Sequence, residues 1–376
     1  MLNRKIDNEI GVHFSNSKKA LFLTGARQVG KTYSIRKYAK LHGLNLIEFN
    51  FLLQPEAMDI INGAGDVKEL LLRISAYSRV PLVRSKTLIF FDEVQECPDV
   101  MTWVKALVDE GSYIYALSGS LLGVELKDIR SVPVGYMSEM QVYPMDFEEF
   151  VSAVGVPENV LDAVKKSWSE KTLVDAYIHE KMMQLFQLYI IVGGMPAAVQ
   201  TYIDSNNIQN VVKEQRDIIN LYKKDIARYD QDVRKKLYIN EVFDLIPSEL
   251  NAKNKRFILK RLNENMTFGR HENDFIWLKD ADMALPTYNV EEPVSPLKLS
   301  EQRNLFKLFQ NDVGLLSCQY SSGCIQLKIL QGKVNVNYGS VFENAVAQEL
   351  HAHGWDLYYF NSKKQGEIDF ILETDD

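Results

Sequence analysis

The sequence predicts an α/β fold: a parallel sheet with helices on both faces, then a helical region and a small α/β part near the C-terminus. Three observations lead there. Residues 21–32 run from an apolar segment into a complete G-x-x-x-x-G-K-[ST] pattern. Residues 87–93 form a continuous apolar run ending in two carboxylates, which suits a parallel strand covered on both faces. Strand-like and helix-like stretches also alternate up to about Phe150, as a doubly wound domain requires.

The first strand leads into Gly25, Ala26, Arg27, Gln28, Val29, Gly30, Lys31 and Thr32, and a helix is expected from Tyr33 to Leu41, stopping at Gly43. Gly25 and Gly30 let the backbone curl so that successive N–H groups converge on phosphate oxygens, and the helix adds its positive end. Residues 25–33 are therefore the expected nucleotide-binding loop. Within it, Lys31 reaches the β- and γ-phosphates and the Thr32 hydroxyl ligates Mg²⁺.

The second strand carries Asp92 and Glu93 at its carboxyl edge. Phosphoryl chemistry needs an acid there. Asp92 is the expected metal anchor beside Thr32, and Glu93 the expected general base for an attacking water. An Asp-Glu pair favours a hydrolysing ATPase over a GTPase-type switch. A third strand over residues 112–117 ends in Ser118-Gly119-Ser120, where Ser118, with Ser120 second, is a candidate to bond the γ-phosphate or the water. Ser-Gly-Ser is equally ordinary turn chemistry.

Residues 151–231 read as helical, with apolar spacing over residues 176–189, a break at Gly193-Gly194-Met195-Pro196, and a long helix over residues 208–229. Residues 232–296 read as short helix, short helix, helix, then an extended stretch at 287–290. The second of those helices is expected to start at Pro247 with Ser248 as its cap, and the third spans residues 254–265. That order is compatible with a winged helix. A Pro-containing loop at residues 291–296 is expected to separate it from residues 297–376, where 341–350 reads as a helix and 356–360 and 367–372 as strands.

In combination, GARQVGKT, FFDEVQ and LSGSLLG resemble a large group of prokaryotic AAA+-like (ASCE) P-loop NTPases. The likeness continues through PMDFEEF (144–150), VGGMPAAV (192–199), INLYKKDI (219–226), FQNDVGLL (309–316) and FEN (342–344), so it spans nearly the whole chain. It implies ATP and Mg²⁺ as ligands, hydrolysis of ATP, a winged-helix part, and a C-terminal domain of unknown function. The Glu343 helix followed by the strand Glu367-Ile368-Asp369-Phe370 resembles the opening half of a restriction-endonuclease-like core, in which Glu343 and Asp369 would bind a divalent metal. That core needs a further Glu-x-Lys strand, and none precedes Asp376. The expectation is therefore an incomplete nuclease-like part without cleavage activity. AAA+-type enzymes also take an arginine from a neighbouring subunit, which leaves room for an oligomer. Arg130, Arg216 and Arg228 are candidates, Arg27 lies inside the loop itself, and none is assigned that role.

Composition narrows the class. At 376 residues, two or three domains are expected, and 46% hydrophobic residues supply their cores. No apolar run reaches the length of a membrane span and residues 1–10 are polar, so no membrane partner is expected. Three cysteines are too few for a disulfide framework, which points to the cytoplasm. A net charge of -7 argues against an extensive nucleic-acid footprint. It leaves a local patch at Lys253, Lys255, Arg256, Lys260 and Arg261, so a DNA or protein partner through the winged-helix part stays open. The expected function is ATP-Mg binding and hydrolysis driving conformational change in the C-terminal parts. The alternatives are a nucleotide-dependent regulatory scaffold and a DNA-binding or DNA-processing effector.

Overall fold

The computed structural model describes residues 2–119, 135–229, 233–252, 255–258, 275–320 and 339–374. Ser120, Arg130, Lys253, Lys260, Arg261, Cys324 and most of the helix expected at 254–265 lie outside them, as does the side chain of Arg228. The chain divides into two compact units, Arg4–Tyr143 and Pro144–Asp376, the latter joined by Met1–Asn3.

The N-terminal unit contains α1 (Lys5–Asn16), β1 (Ala20–Thr24), α2 (Lys31–Leu41), β2 (Asn45–Asn50), α3 (Met58–Asn62), α4 (Val67–Tyr77), β3 (Thr87–Asp92), α5 (Asp99–Glu110), β4 (Ile114–Ser118) and β5 (Met137–Gln141). Its five strands are all parallel, in the order β2-β3-β4-β1-β5. Successive side chains of a strand point to opposite faces. Phe22, Phe49, Phe91 and Leu117 pack with Leu70 and Ile74 of α4 and Val100 and Val104 of α5. Leu21, Leu23, Leu88 and Phe90 point the other way and are equally buried. Every residue of β1 and β3 is buried, which is why these strands read as unbroken apolar runs. The doubly covered α/β sheet is the one expected. The strand order sets β4 between the loop-bearing β1 and the acid-bearing β3, so both strand ends open on one edge.

The C-terminal unit begins with helices: α6 (Phe147–Ala153), α7 (Glu158–Ser169), α8 (Ala176–Val192), α9 (Pro196–Ser205), α10 (Ile208–Tyr229) and α11 (Val233–Leu250). After them come β6 (Ala284–Val290), β7 (Glu301–Gln310), α12 (Val313–Tyr320), α13 (Gly339–Ala352), β8 (Tyr358–Ser362) and β9 (Gly366–Ile371). These strands form a mixed sheet in the order β7-β6-β8-β9, with β6 parallel to β8 and the other pairs antiparallel. Val313 to Cys318 of α12 are all buried. Asp312 caps that helix, accepting from Leu315 N at 2.9 Å and from the Gly194 amide.

Two expectations about residues 232–296 are corrected. No helix starts at Pro247; α11 runs on through it. Ser248 is no cap, since its hydroxyl donates to Leu245 O within the same helix. Ile239, Val242, Phe243, Ile246 and Leu250 form one buried stripe along α11, and that packing outweighs the proline's local preference. Residues 291–296 likewise form no boundary between domains. They lie between β6 and β7, which pair along one sheet. Among the described residues no single helix is long and apolar enough to cross a membrane.

Candidate functional site

The P-loop backbone is set by residues that need unusual dihedrals. Gly25 has φ +125° and Gly30 φ +103°, and a Cβ on Gly25 would sit 2.2 Å from Val142 O. Only glycine allows both that dihedral and that approach. Gln28 also adopts positive φ. Gly30 is the N-cap of α2, so Lys31 and Thr32 open the helix whose positive end faces the loop. Lys31 is buried, and its ammonium donates to Gly25 O at 2.7 Å and Ala26 O at 2.8 Å. Ala26 and Val29 are buried and anchor the loop. Arg27 is half-buried, while Gln28 and Tyr33 are exposed.

Asp92, at the end of β3, is 2% exposed. The Thr32 hydroxyl donates to its Oδ2 at 3.0 Å, Asn50 Nδ2 donates to the same oxygen at 2.8 Å, and the Ser118 hydroxyl donates to Oδ1. Burial raises the Asp92 pKa; the Ser118 bond works against it, the Glu93 charge adds to it, and the Thr32 bond opposes it. A buried carboxylate that gathers hydroxyls from both the loop and the neighbouring strand fits a divalent cation, which would satisfy its charge and share Thr32 Oγ1. Glu93 follows in a left-handed conformation, φ +59°, which turns its half-buried side chain away from the strand line. Gln95 Nε2 donates to Glu93 Oε2.

Thr32, Asp92 and Ser118 are therefore brought into one cluster, with Lys31 in the loop beside Thr32 and Glu93 next along the chain. Three residues at the site carried no sequence assignment. Asn50 stands level with Asp92 in the β2–β3 register, a pairing that no local pattern announces. Gln95 lies in the FFDEVQ segment but without a role. Arg4 braces the loop by donating to Val29 O at 3.0 Å and to Tyr143 O at 2.8 Å. Of the arginines considered for a trans-acting role, Arg27 and Arg216 are described; Arg216 lies beside the Cys318 thiol.

The C-terminal acids are not a bare pair. Lys307 of β7, fully buried, lies 2.9 Å from Asp369 Oδ1, 2.9 Å from Glu367 Oε1 and 3.7 Å from Glu343 Oε2. Burial works to lower its pKa, but the bonds to Glu367 and Asp369 raise it above the ordinary value. Lys255 also pairs with Glu343. No Glu-x-Lys strand follows Asp369 in the sequence; the lysine beside these acids comes from an earlier strand, which sequence order hides.

Residues 17–151 match the profile of an AAA domain. Residues 183–323 and 338–376 match two domains of unknown function, DUF8612 and DUF4143. No curated protein matches the chain. Among solved structures, the Walker-type ATPase of Pyrococcus abyssi superposes with a TM-score of 0.50 at 14% identity, over 85% of this chain and 96% of that one. The ORC1 protein of Aeropyrum pernix, solved in complex with DNA, gives 0.33 at 14% identity over 87% and 94%. AMPPCP-bound DnaA of Aquifex aeolicus gives 0.33 at 13% over 73% and 86%. The first of these likenesses speaks to the fold alone, and the AAA match assigns residues 17–151 to an AAA domain.

Proposed function

We propose that the chain binds ATP with Mg²⁺ at the P-loop and hydrolyses it, with turnover coupled to conformational change in the C-terminal unit. The observation that carries this reading is Asp92: a buried acid at the end of β3 that bonds the P-loop hydroxyl of Thr32. Lys31 and the amides of residues 25–33 hold the phosphates. Thr32 and Asp92 hold the metal, which when bound offsets charge on the phosphate oxygens. Glu93 takes the proton of the attacking water on its carboxylate, and the Ser118 hydroxyl keeps Asp92 oriented.

A second reading, a nucleotide-dependent regulatory switch with little basal turnover, is favoured by the Gln95–Glu93 bond. A carboxylate held by an amide is a weaker base until the amide lets go. The acids around Lys307 are read as a structural cluster, because a buried ammonium already pairs with Glu367 and Asp369. No cleavage activity is assigned to them.

One assay decides between the first two. Phosphate release from the full chain is measured for wild type, Lys31→Ala, Glu93→Gln and Gln95→Ala, alongside a titration with labelled ATP. Lys31→Ala loses binding; Glu93→Gln keeps binding and loses roughly 100-fold or more in rate. Equal rates for wild type and Glu93→Gln would remove the catalytic role of Glu93. A rate that rises in Gln95→Ala supports the switch, and an unchanged one removes it.

A further inference from the structure

Asp146, Glu349 and His353 of the C-terminal unit each offer one ligand atom, and these atoms all lie within 4.8 Å of one another. Glu349 lies in the last turn of α13 and His353 four residues on, one above the other. Asp146 is the buried N-cap of α6, its Oδ1 accepting from Glu149 N at 2.8 Å.

The histidine is held in one orientation. Its Nδ1 lies 2.7 Å from the backbone carbonyl of Glu349, and a carbonyl oxygen accepts only a proton-bearing nitrogen. In the neutral ring Nε2 then carries the lone pair, and it faces Asp146 Oδ2 at 4.0 Å. Glu349 is oriented as firmly: its Oε1 accepts from Phe147 N at 2.7 Å and from the Tyr189 hydroxyl at 3.1 Å. Outer partners of this kind, a backbone carbonyl on the far nitrogen of a histidine and donors on a carboxylate, are what fix ligands around a metal. A lone pair facing the Asp146 carboxylate repels it, and a cation between them reverses the sign of that interaction.

We propose that Asp146, Glu349 and His353 form a site for a divalent transition-metal ion, Zn²⁺ in preference to Mg²⁺ or Ca²⁺. One imidazole nitrogen and two carboxylate oxygens suit zinc, whereas the harder cations take six or more oxygens. The ligand atoms of a tetrahedral zinc stand about 3.3 Å apart. Closing the set from the 4.0 Å between His353 Nε2 and Asp146 Oδ2 takes a small inward shift of the half-exposed ring, with the Nδ1 bond to the Glu349 carbonyl kept. Three protein ligands leave a fourth position open to solvent. The ion would pin the start of α6 to the end of α13 within one unit. This site shares no residue with the P-loop.

The test is a Zn²⁺ titration of the untagged full chain, stripped with a chelator, against a chromogenic competitor, with Co²⁺ loaded in parallel. An Asp92→Asn background silences the P-loop acid. One ion per chain is expected, with the visible absorption of four-coordinate Co²⁺. His353→Ala and Glu349→Gln each weaken binding on the order of tenfold or more, with circular dichroism unchanged, while His179→Ala, at an exposed histidine elsewhere, binds as the parent does. Because His353 is exposed, its truncation does not endanger folding. Affinity unchanged in His353→Ala, or a Co²⁺ spectrum without four-coordinate bands, overturns the site and leaves a protonated histidine–carboxylate contact in its place.

Discussion

Asp92 shows how single residues set this site. Its burial disfavours the charge, while hydroxyl and amide donors from Thr32, Asn50 and Ser118 hold the carboxylate in place. Gly25 shows the backbone side of the same design. Gly25→Ala would meet Val142 O at 2.2 Å with φ +125°, a strain of roughly 1–3 kcal/mol before the clash is counted. We expect a lower urea midpoint for the N-terminal unit and loss of labelled-ATP binding; an unchanged midpoint would contradict the geometry. The glycines, Lys31, Thr32, Asp92 and Glu93 were legible because the chemistry ties them to fixed spacing or to a strand end. Asn50 and Arg4 were not, because they reach the site through strand register and chain folding, which leave no local trace.

At the level of elements, the buried strands and long helices follow from their patterns. The expected helices over residues 176–189 and 208–229 appear as α8 and α10, with Gly193 capping α8 and Pro196 opening α9. Pro247 is where pattern and packing disagree. Within α11 it lacks an amide and crowds the preceding turn, a penalty of roughly 3 kcal/mol relative to alanine. Truncating its buried ring to alanine loses about two methylenes, on the order of 1.6 kcal/mol. Pro247→Ala should therefore stabilise the C-terminal unit by about 1 kcal/mol in urea unfolding. If the variant is destabilised instead, the proline is serving as a helix start and the continuous α11 is wrong. Local rules marked a boundary at Pro247 because they weigh the residue and its neighbours, not the stripe of Ile239, Phe243, Ile246 and Leu250 beneath it.

For the whole molecule, each unit carries its own core, and the C-terminal one hides a titrating group. Asp312 is fully buried, and burial pushes its carboxyl up to about 6 despite the amides of Gly194, Leu315 and Gly314. Since the folded state holds this proton more tightly than the unfolded chain, its contribution is complete below about pH 4 and is lost as pH rises through 6. The C-terminal unit should lose on the order of 3 kcal/mol across that window, relative to Asp312→Asn. Urea unfolding of both chains at about pH 3.5, 5 and 7 (roughly spanning the two pKa values) reads the difference, and parallel curves would exclude it. The sequence by itself determined the N-terminal sheet and the glycine-rich turn with Asp92 at the end of β3, because such a turn needs particular residues at short, fixed separations. Tertiary structure alone decided that Lys307 joins Glu343, Glu367 and Asp369, that β6 pairs with β7 across the proline loop, and that Asp146 meets Glu349 and His353. These partners stand tens to hundreds of residues apart, and only closure of the chain around a common core brings them within reach.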